Sequence, residues 1–353
     1  MSEKSDLRAK KPDDIAAWVR SAGEPSYRAG QIFGWIHKKR CRSIEDMTDL
    51  PKDLRRRLAE EFAIYEAVPV KVLESKIDGT RKYLNRLSDG NVIETVLLKY
   101  EYGWSICISS QVGCRMGCRF CASGMDGLVR NLTAGEMAGQ VYAAESDINE
   151  RIGHIVVMGS GEPLDNYESF TDFLDIMTDG KGAGISARNI TASTCGLVPG
   201  IRALADRKYS ITLALSLHAV TDEKRRQIMP IANRYALDEV ISACRYYRDV
   251  TGRRLTLEYS LIEGFNDGDD DMEGLAEISR ELKAHVNLIP VNPVDGAGYR
   301  AASRRYAETL KNKLEKNNIN VTIRREMGRD ISGACGQLRR GFINDAALGE
   351  QNV

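Results

Sequence analysis

Three hydrophobic periodicities divide the chain. Between residues 12 and 62 apolar positions recur at helical spacing. Ile15, Trp18 and Val19 form one stripe, Ile32, Phe33, Trp35 and Ile36 a second after Ser26, and Leu54 and Leu58 a third after Pro51. This pattern predicts a small helical module. From residue 68 to 98 the period drops to two. Val68, Val70 and Val72 alternate with polar or small positions, Asp78-Gly79 marks a turn, Tyr83 and Leu84 open a second strand, and Asp89-Gly90 precedes Val92-Ile93-Glu94-Thr95-Val96. Three antiparallel strands follow from that spacing. Beyond residue 100, strand-length apolar runs at 105–109, 154–158, 190–193, 211–216, 255–262, 286–289 and 321–323 are mostly separated by helix-length segments. One helix start is fixed to the residue: Thr133 and Glu136 read as a capping box, with Leu132 and Met137 as its hydrophobic staple. Repeated βα units predict a parallel sheet curled toward a full or partial barrel, and no shorter internal repeat is visible. The fold expected is therefore α/β: a partial (β/α) barrel at 100–326, preceded by a helical module at 1–66 and a small antiparallel β-meander at 67–99, and followed by a tail at 327–353.

Composition changes this picture little. A chain of 353 residues has room for one large domain and a smaller module. No apolar run approaches membrane-spanning length, and Met1-Ser2-Glu3-Lys4-Ser5-Asp6 lacks a signal-peptide apolar region, so a cytoplasmic enzyme without membrane contact is expected. Eight cysteines, three of them in one short segment, suit a reducing compartment better than a disulfide scaffold. Lys and Arg total 50 against 50 Asp and Glu, which removes any global electrostatic argument for nucleic acid. RNA contact would have to come from local basic clusters, such as Lys38-Lys39-Arg40 with Arg42, or Arg55-Arg56-Arg57.

The chemistry concentrates in Gly113-Cys114-Arg115-Met116-Gly117-Cys118-Arg119-Phe120-Cys121, where three cysteines are spaced Cys-x3-Cys-x2-Cys. Three thiolates on a cubane iron–sulfur cluster leave one iron open for another ligand. A closed structural zinc would need a fourth donor nearby, and none follows in the next turn. Further small, polar and turn-forming residues stand at the other strand ends, where a βα barrel gathers its chemistry: Gly159-Ser160-Gly161-Glu162-Pro163, Thr194-Cys195-Gly196, Ser216-Leu217-His218, Asn266-Asp267-Gly268 and Pro290-Val291-Asn292-Pro293. Gly159-Ser160-Gly161 is no dinucleotide fingerprint, because Leu164 occupies the third glycine position. Its glycines would instead bring backbone close to a ligand, with Glu162 accepting from a cationic amine. His218 alone reads as a packed barrel residue; Ser216 and Asn292 beside it favour a binding rim. Cys107, on the strand feeding the triplet, and Cys335, between Gly333-Ala334 and Gly336, stand apart from Cys41, Cys195 and Cys244, which read as structural.

The triplet on a βα barrel resembles the radical S-adenosylmethionine (radical SAM) superfamily. Ile93-Glu94-Thr95-Val96, Ser110-Gln111-Val112-Gly113-Cys114, Arg130-Asn131-Leu132-Thr133, Gly161-Glu162-Pro163, Ser216-Leu217-His218, Asn287-Leu288-Ile289-Pro290 and Ala334-Cys335-Gly336-Gln337-Leu338 together are similar to its bacterial dual-specificity RNA methyltransferase family, over nearly the whole chain. The resemblance implies methylation of carbon 2 of an adenine in 23S rRNA at the peptidyl-transferase centre, and of an adenine beside the tRNA anticodon. It implies a 4Fe-4S cluster on Cys114, Cys118 and Cys121, and two molecules of S-adenosyl-L-methionine per turnover. One methylates Cys335; the other, cleaved to a deoxyadenosyl radical, removes hydrogen from that methyl group, and the carbon radical adds to the base. Carbon 2 is electron-poor and cannot attack a methyl sulfonium directly, which is why a radical route is needed. Cys107 would then resolve the protein–RNA link through a transient disulfide with Cys335, and either Glu94, the position the family usually assigns, or Cys107 would accept the carbon-2 proton. Gly161, Glu162, Ser193, Ser216, Leu217, His218 and Asn292 match the family's S-adenosylmethionine positions. An electron donor such as flavodoxin or ferredoxin, and a monomeric enzyme, are implied as well. Ser160, Cys195 and Ser332-Gly333 depart from the family pattern, in places that touch cofactor packing and the tail. Two rival readings remain open: a carbon-8 methyltransferase with the same cysteines, against which Pro163 speaks, and a non-catalytic Fe–S or zinc RNA-binding factor, which leaves Glu94, Cys107 and Cys335 without a role.

Overall fold

A computed structural model describes residues 4–291 and 298–331. The chain opens with a short strand, β1 (Ser5–Asp6), followed by helices α1 (Pro12–Ser21), α2 (Tyr27–His37) and α3 (Lys52–Glu61) and strand β2 (Phe62–Ala63). The helical stripes read from the sequence become one core, in which Ile15, Val19, Ile32, Phe33, Ile36, Leu54 and Leu58 are buried together. β1 pairs in parallel with β2, Ser5 opposite Phe62, so the module closes on itself before the chain leaves it.

Strands β3 (Val68–Glu74), β4 (Arg81–Arg86) and β5 (Val92–Tyr100) follow as an antiparallel meander. It is not a separate sheet. β5 turns tightly into β6 (Gly103–Ile108), with Tyr100 opposite Gly103 and Val96 opposite Cys107. β6 is the first parallel strand of the barrel, so meander and barrel share one sheet. Next comes a small hairpin that no periodicity announced, β7 (Gln111–Gly113) against β8 (Leu128–Asn131).

The βα units then alternate: α4 (Ala134–Ile148), β9 (His154–Val157), α5 (Tyr167–Thr178), β10 (Ile190–Thr194), α6 (Val198–Asp206), β11 (Thr212–Ser216), α7 (Asp222–Ile228), α8 (Leu237–Thr251), β12 (Leu255–Leu261), α9 (Asp269–Leu282), β13 (His285–Pro290), α10 (Arg304–Lys316) and β14 (Val321–Ile323). The α4 start falls where its capping box placed it. Thr133 Oγ1 accepts from the Glu136 amide at 3.1 Å, and Glu136 accepts from the Thr133 amide at 2.9 Å. The ten-stranded sheet runs β3-β4-β5-β6-β9-β10-β11-β12-β13-β14, parallel from β6 onward, with β3 and β14 as its two edges. It is a partial barrel of mixed α/β class.

Strand alternation separates two environments. Ile106, Ile108, Ile155, Ile190, Leu213, Leu215, Leu255, Leu257, Val286 and Leu288 pack with Phe170, Phe173, Leu204 and Tyr247 of the surrounding helices. The intervening residues Ser193, Ser216, Glu258 and Ser260 turn inward and line one cavity. One face of the sheet is thus apolar toward the helices and the other polar toward the axis, the strand period of two applied around a curve.

Candidate active site

A cavity of about 240 Å³ opens at the carboxyl ends of the parallel strands. Its wall takes Cys114 from the loop after β7 and Arg324 from just past β14, so the sheet has curled far enough for its first and last parallel strands to serve one space.

Cys114, Cys118 and Cys121 all face this cavity. The β7–β8 hairpin sets the base of their loop, with the Cys114 amide donating to the Gly127 carbonyl at 2.9 Å and the Cys121 amide to the Cys118 carbonyl at 3.1 Å. Gly113 sits at φ 79°, and a Cβ there would collide with the Gly127 carbonyl, so the loop's start tolerates only glycine. Burial pushes the Cys114 thiol up to about 12. Burial raises Cys118 further, its two companion thiols act in the same direction, and the Arg225 guanidinium pulls it back. Mutual elevation of this kind is what three sulfurs aimed into one poorly solvated space produce, and a metal that displaces their protons removes it. Among the described residues no group of three or more His, Cys, Asp or Glu is arranged to hold a single metal ion. Soft thiols spread over a cavity wall fit a multi-iron cluster better than a closed zinc site.

Opposite the triplet, Gly161 at φ 111° lies so close to Ser110 and Gln111 that a Cβ would stand 2.6 Å from Ser110 Oγ. Glu162 follows, buried, its amide donating to Gln111 Oε1 at 2.9 Å. Its carboxylate accepts from the Cys195 amide at 2.8 Å and the Leu164 amide at 3.2 Å. Burial raises its pKa while those amides oppose the rise. Two backbone donors leave lone pairs for a further, cationic donor. The Ser193 and Ser216 hydroxyls meet at 3.0 Å at the ends of β10 and β11. His218 lines the same space at φ 55°, its Nδ1 accepting from the Ser260 amide at 3.0 Å and its ring set edge-on to Phe120. Burial, then the Arg225 charge, lowers its pKa to about 3, so it is neutral. Leu217 differs from its neighbours: its side chain packs in the apolar core and it is not among the residues that line the cavity. Asn292 and Cys335 lie outside the described residues.

Glu94 and Cys107 stand on the inner wall and not among the cavity's lining residues. Cys107 alternates with the core residues Ile106 and Ile108 and so points to the axis. Lys82, Val96 and Cys107 form one row across β4, β5 and β6. Glu94, one row along, pairs with Lys82 Nζ at 3.2 Å, both side chains almost wholly shielded.

Sequence reasoning missed several residues. Glu258 and Arg324 line the cavity; Asn287 Nδ2 donates to Glu258 at 2.8 Å, continuing through Thr322 to His285 in a polar ladder across β12, β13 and β14. Thr256, Glu258 and Ser260 alternate with Leu255, Leu257 and Leu261, a signal of one polar face that the run of apolar residues concealed. Cys195, read as structural, lies in the cavity wall. The basic clusters of the helical module are largely engaged within the protein. Arg40 pairs with Glu145 at 2.8 Å, Arg42 with Glu66 at 3.4 Å, and Lys39 lies over the Trp35 ring. Arg55 donates to the Glu45 carbonyl, Arg56 pairs with Asp53 and Glu60, and Arg57 with Glu24.

Residues 6–64 match the family model for the ribosomal RNA large subunit methyltransferase N-terminal domain, and residues 108–277 match that of the radical SAM superfamily. The chain is 50% identical over 341 residues to a protein of Lachnospira eligens named "Probable dual-specificity RNA methyltransferase RlmN", covering 97% of each chain. It is 50% identical over 353 residues to the protein of that name from Lachnoclostridium phytofermentans, covering 100% of this chain and 99% of the other. The crystal structure of a radical SAM methyltransferase from Sphaerobacter thermophilus superposes with a TM-score of 0.88 at 42% identity, over 94% of this chain and 98% of that one. Among the described residues no helix is long and apolar enough to cross a membrane.

Proposed function

The chain belongs to the RlmN family of radical SAM RNA methyltransferases, and we propose that it methylates carbon 2 of adenine in 23S rRNA and in tRNA, using Cys335 as the methyl carrier. What supports this reading is the match along the whole chain, together with one cavity that gathers the cysteine triplet and the Gly161, Glu162, Ser193, Ser216 and His218 positions. Cys114, Cys118 and Cys121 would hold a 4Fe-4S cluster. Cluster and S-adenosyl-L-methionine, when bound, supply the single electron and the carbon radical chemistry that an electron-poor ring carbon requires.

The protein's own residues do the rest. Gly161 lets backbone approach the cofactor, and Glu162, already oriented by two amides, offers its remaining lone pairs to the cofactor's amine. The paired Ser193 and Ser216 hydroxyls and neutral His218 form a polar wall that needs no counter-ion. Cys335 takes a methyl group as a thiolate nucleophile and presents it to the base. Glu94 accepts the proton from carbon 2, its carboxylate kept in place by Lys82. Cys107 attacks the Cys335 sulfur, forming a disulfide as the methylated base leaves. In this reading the chain works as a cytoplasmic monomer with a flavodoxin- or ferredoxin-type donor. Its functional segments are the RNA-contacting module 1–66, the meander 67–99, the barrel 100–326 and the tail 327–353, and Asn292 would complete the cofactor wall.

Anaerobic reconstitution followed by assay on ribosomal and transfer RNA tests this. The expected products are 2-methyladenosine in both RNAs, S-methylation of Cys335 in protein digests, and a trapped protein–RNA adduct in Cys107→Ala. Exclusive 8-methyladenosine, or 2-methyladenosine made by Cys335→Ala, would overturn it.

A further inference from the structure

Arg225 on α7 is the bulkiest of the described side chains that are wholly shielded from solvent. Its Nη2 donates to the Cys195 carbonyl at 3.1 Å, while Nε and Nη1 have no hydrogen-bond partner among the described residues. Asp222, one turn earlier, is engaged elsewhere: the Leu237 amide donates to it at 2.9 Å and Arg226 lies at 4.0 Å. Glu162 is separated from the guanidinium by Cys195, whose amide it holds. A guanidinium enclosed in this way, with two donors unanswered and no carboxylate of the described residues within ion-pair distance, costs several kcal/mol unless an anion neutralises it.

The surroundings say which anion. The end of α7 is tied to the cysteine loop, the Arg119 amide donating to the Ile228 carbonyl at 2.9 Å. Met116, Cys118 and Phe120 pack onto Cys195, Ile228 and Met229. The field of Arg225 reaches the Cys118 thiol and the His218 ring. Arg225 does not itself line the cavity, so a carboxylate or phosphate entering from solvent would not touch it. A cluster on the three thiolates would carry its negative charge on the other side of that packing.

We propose that Arg225 is the built-in counter-charge of the iron–sulfur cluster and sets its reduction potential. A fixed positive charge in a poorly polarisable interior favours the more negative, reduced state. Arg225 is a positioning residue in this scheme: it touches neither substrate nor cofactor and acts through the Cys195 shelf and its field. The inference rests on the reading of Cys114, Cys118 and Cys121 as cluster ligands.

Redox titration of the anaerobically reconstituted full-length protein, followed by electron paramagnetic resonance, tests it. Arg225→Met should lower the reduced-to-oxidised ratio at least tenfold at a fixed potential, a shift of 59 mV for a one-electron couple. Arg225→Lys should recover most of it. Should Arg225→Met fail to fold, Arg225→Gln retains a donor for the Cys195 carbonyl and carries the same titration. Thermal unfolding adds a readout of opposite sign: without cluster, Arg225→Met should unfold at the same or a higher temperature than wild type, and with cluster at a lower one. An unchanged potential in loaded Arg225→Met or Arg225→Gln, or equal destabilisation with and without cluster, would overturn the inference alone. Wild-type protein that takes up no iron and sulfide would overturn the cluster reading, and this inference with it.

Discussion

Lys82 on the meander wall and Arg225 under the strand-end shelf are both fully buried cations, but among the described residues only Lys82 has a carboxylate beside it, Glu94 at 3.2 Å. One charge is completed by the chain; the other is left open next to the three cysteines. A charge that the fold itself neutralises contributes to holding the fold together. A charge left unneutralised marks the place where a guest belongs. Asp6 gives a third solution. One of its oxygens is enclosed without a partner against α4, packed so closely on Gly135 that no side chain fits there. Burial raises this carboxyl to about 6, against the opposing pull of the Arg8 amide and charge. It answers burial by holding its proton to a higher pH than an exposed carboxyl would.

The greatest pressure on this contrast comes from Lys82→Met. Removing one partner of a buried pair strands the other, so urea unfolding of cluster-free protein should lose about 3–5 kcal/mol, and Glu94→Gln in the same chain should restore much of it. A loss below about 1 kcal/mol, well under that range, would mean the pair does not hold the wall. A smaller effect is expected at Asp6. Its folded pKa lies above its unfolded one, so the folded state binds the extra proton. The stability that Asp6 contributes is then fully present below the unfolded value of 3.8 and is lost as pH rises through about 6. In Asp6→Asn that decline should disappear from urea midpoints measured across the interval; an unaltered slope would rule out Asp6 as its source. Least affected should be RNA binding in the double variant Arg56→Ala, Arg57→Ala, since Asp53, Glu60 and Glu24 already hold those guanidiniums. The slope of log affinity against log salt should change by less than the ~0.7–0.9 that one phosphate contact contributes. A larger change would place these two arginines themselves on the module's RNA-contacting face.

Much of this molecule is legible in its sequence because its elements are locally consistent. Ile15, Trp18 and Val19, the turn at Asp78-Gly79, and the Thr133 capping box each specify a conformation without help from distant residues, and each stands where the pattern put it. The β7–β8 hairpin could not be read so, because a three-residue and a four-residue strand have too little period to register, and their pairing follows from the loop between them. The continuity of the meander with the barrel was hidden for a similar reason: only Glu101 and Tyr102 separate the paired Tyr100 and Gly103, a shorter turn than either within the meander and one without the Asp-Gly pair that marks those two. Around the cavity, Gly161, Glu162, Ser193, Ser216 and His218 announce themselves by small or polar types at strand ends, and they do meet. Arg225 gives no such sign. In Asp222-Glu223-Lys224-Arg225-Arg226 it reads as one more solvated charge, and only the packing of α7 against the cysteine loop reveals that it is enclosed.

The order of the sheet bears on how the chain is made. From β3 to β14 the strands lie in the same order in space as in sequence, the hairpin aside, so every strand leaving the ribosome finds its neighbour already formed. The helical module, tied end to end by Ser5 and Phe62, can close before the meander emerges. Nothing needs to be inserted between strands already paired, and the growing edge is always the newest strand. At ~5–20 residues per second, synthesis gives each unit seconds to settle before the next arrives. Among the described residues the last strand added, β14, has three residues, which gives that side of the sheet a short edge and little template for joining a second nascent chain.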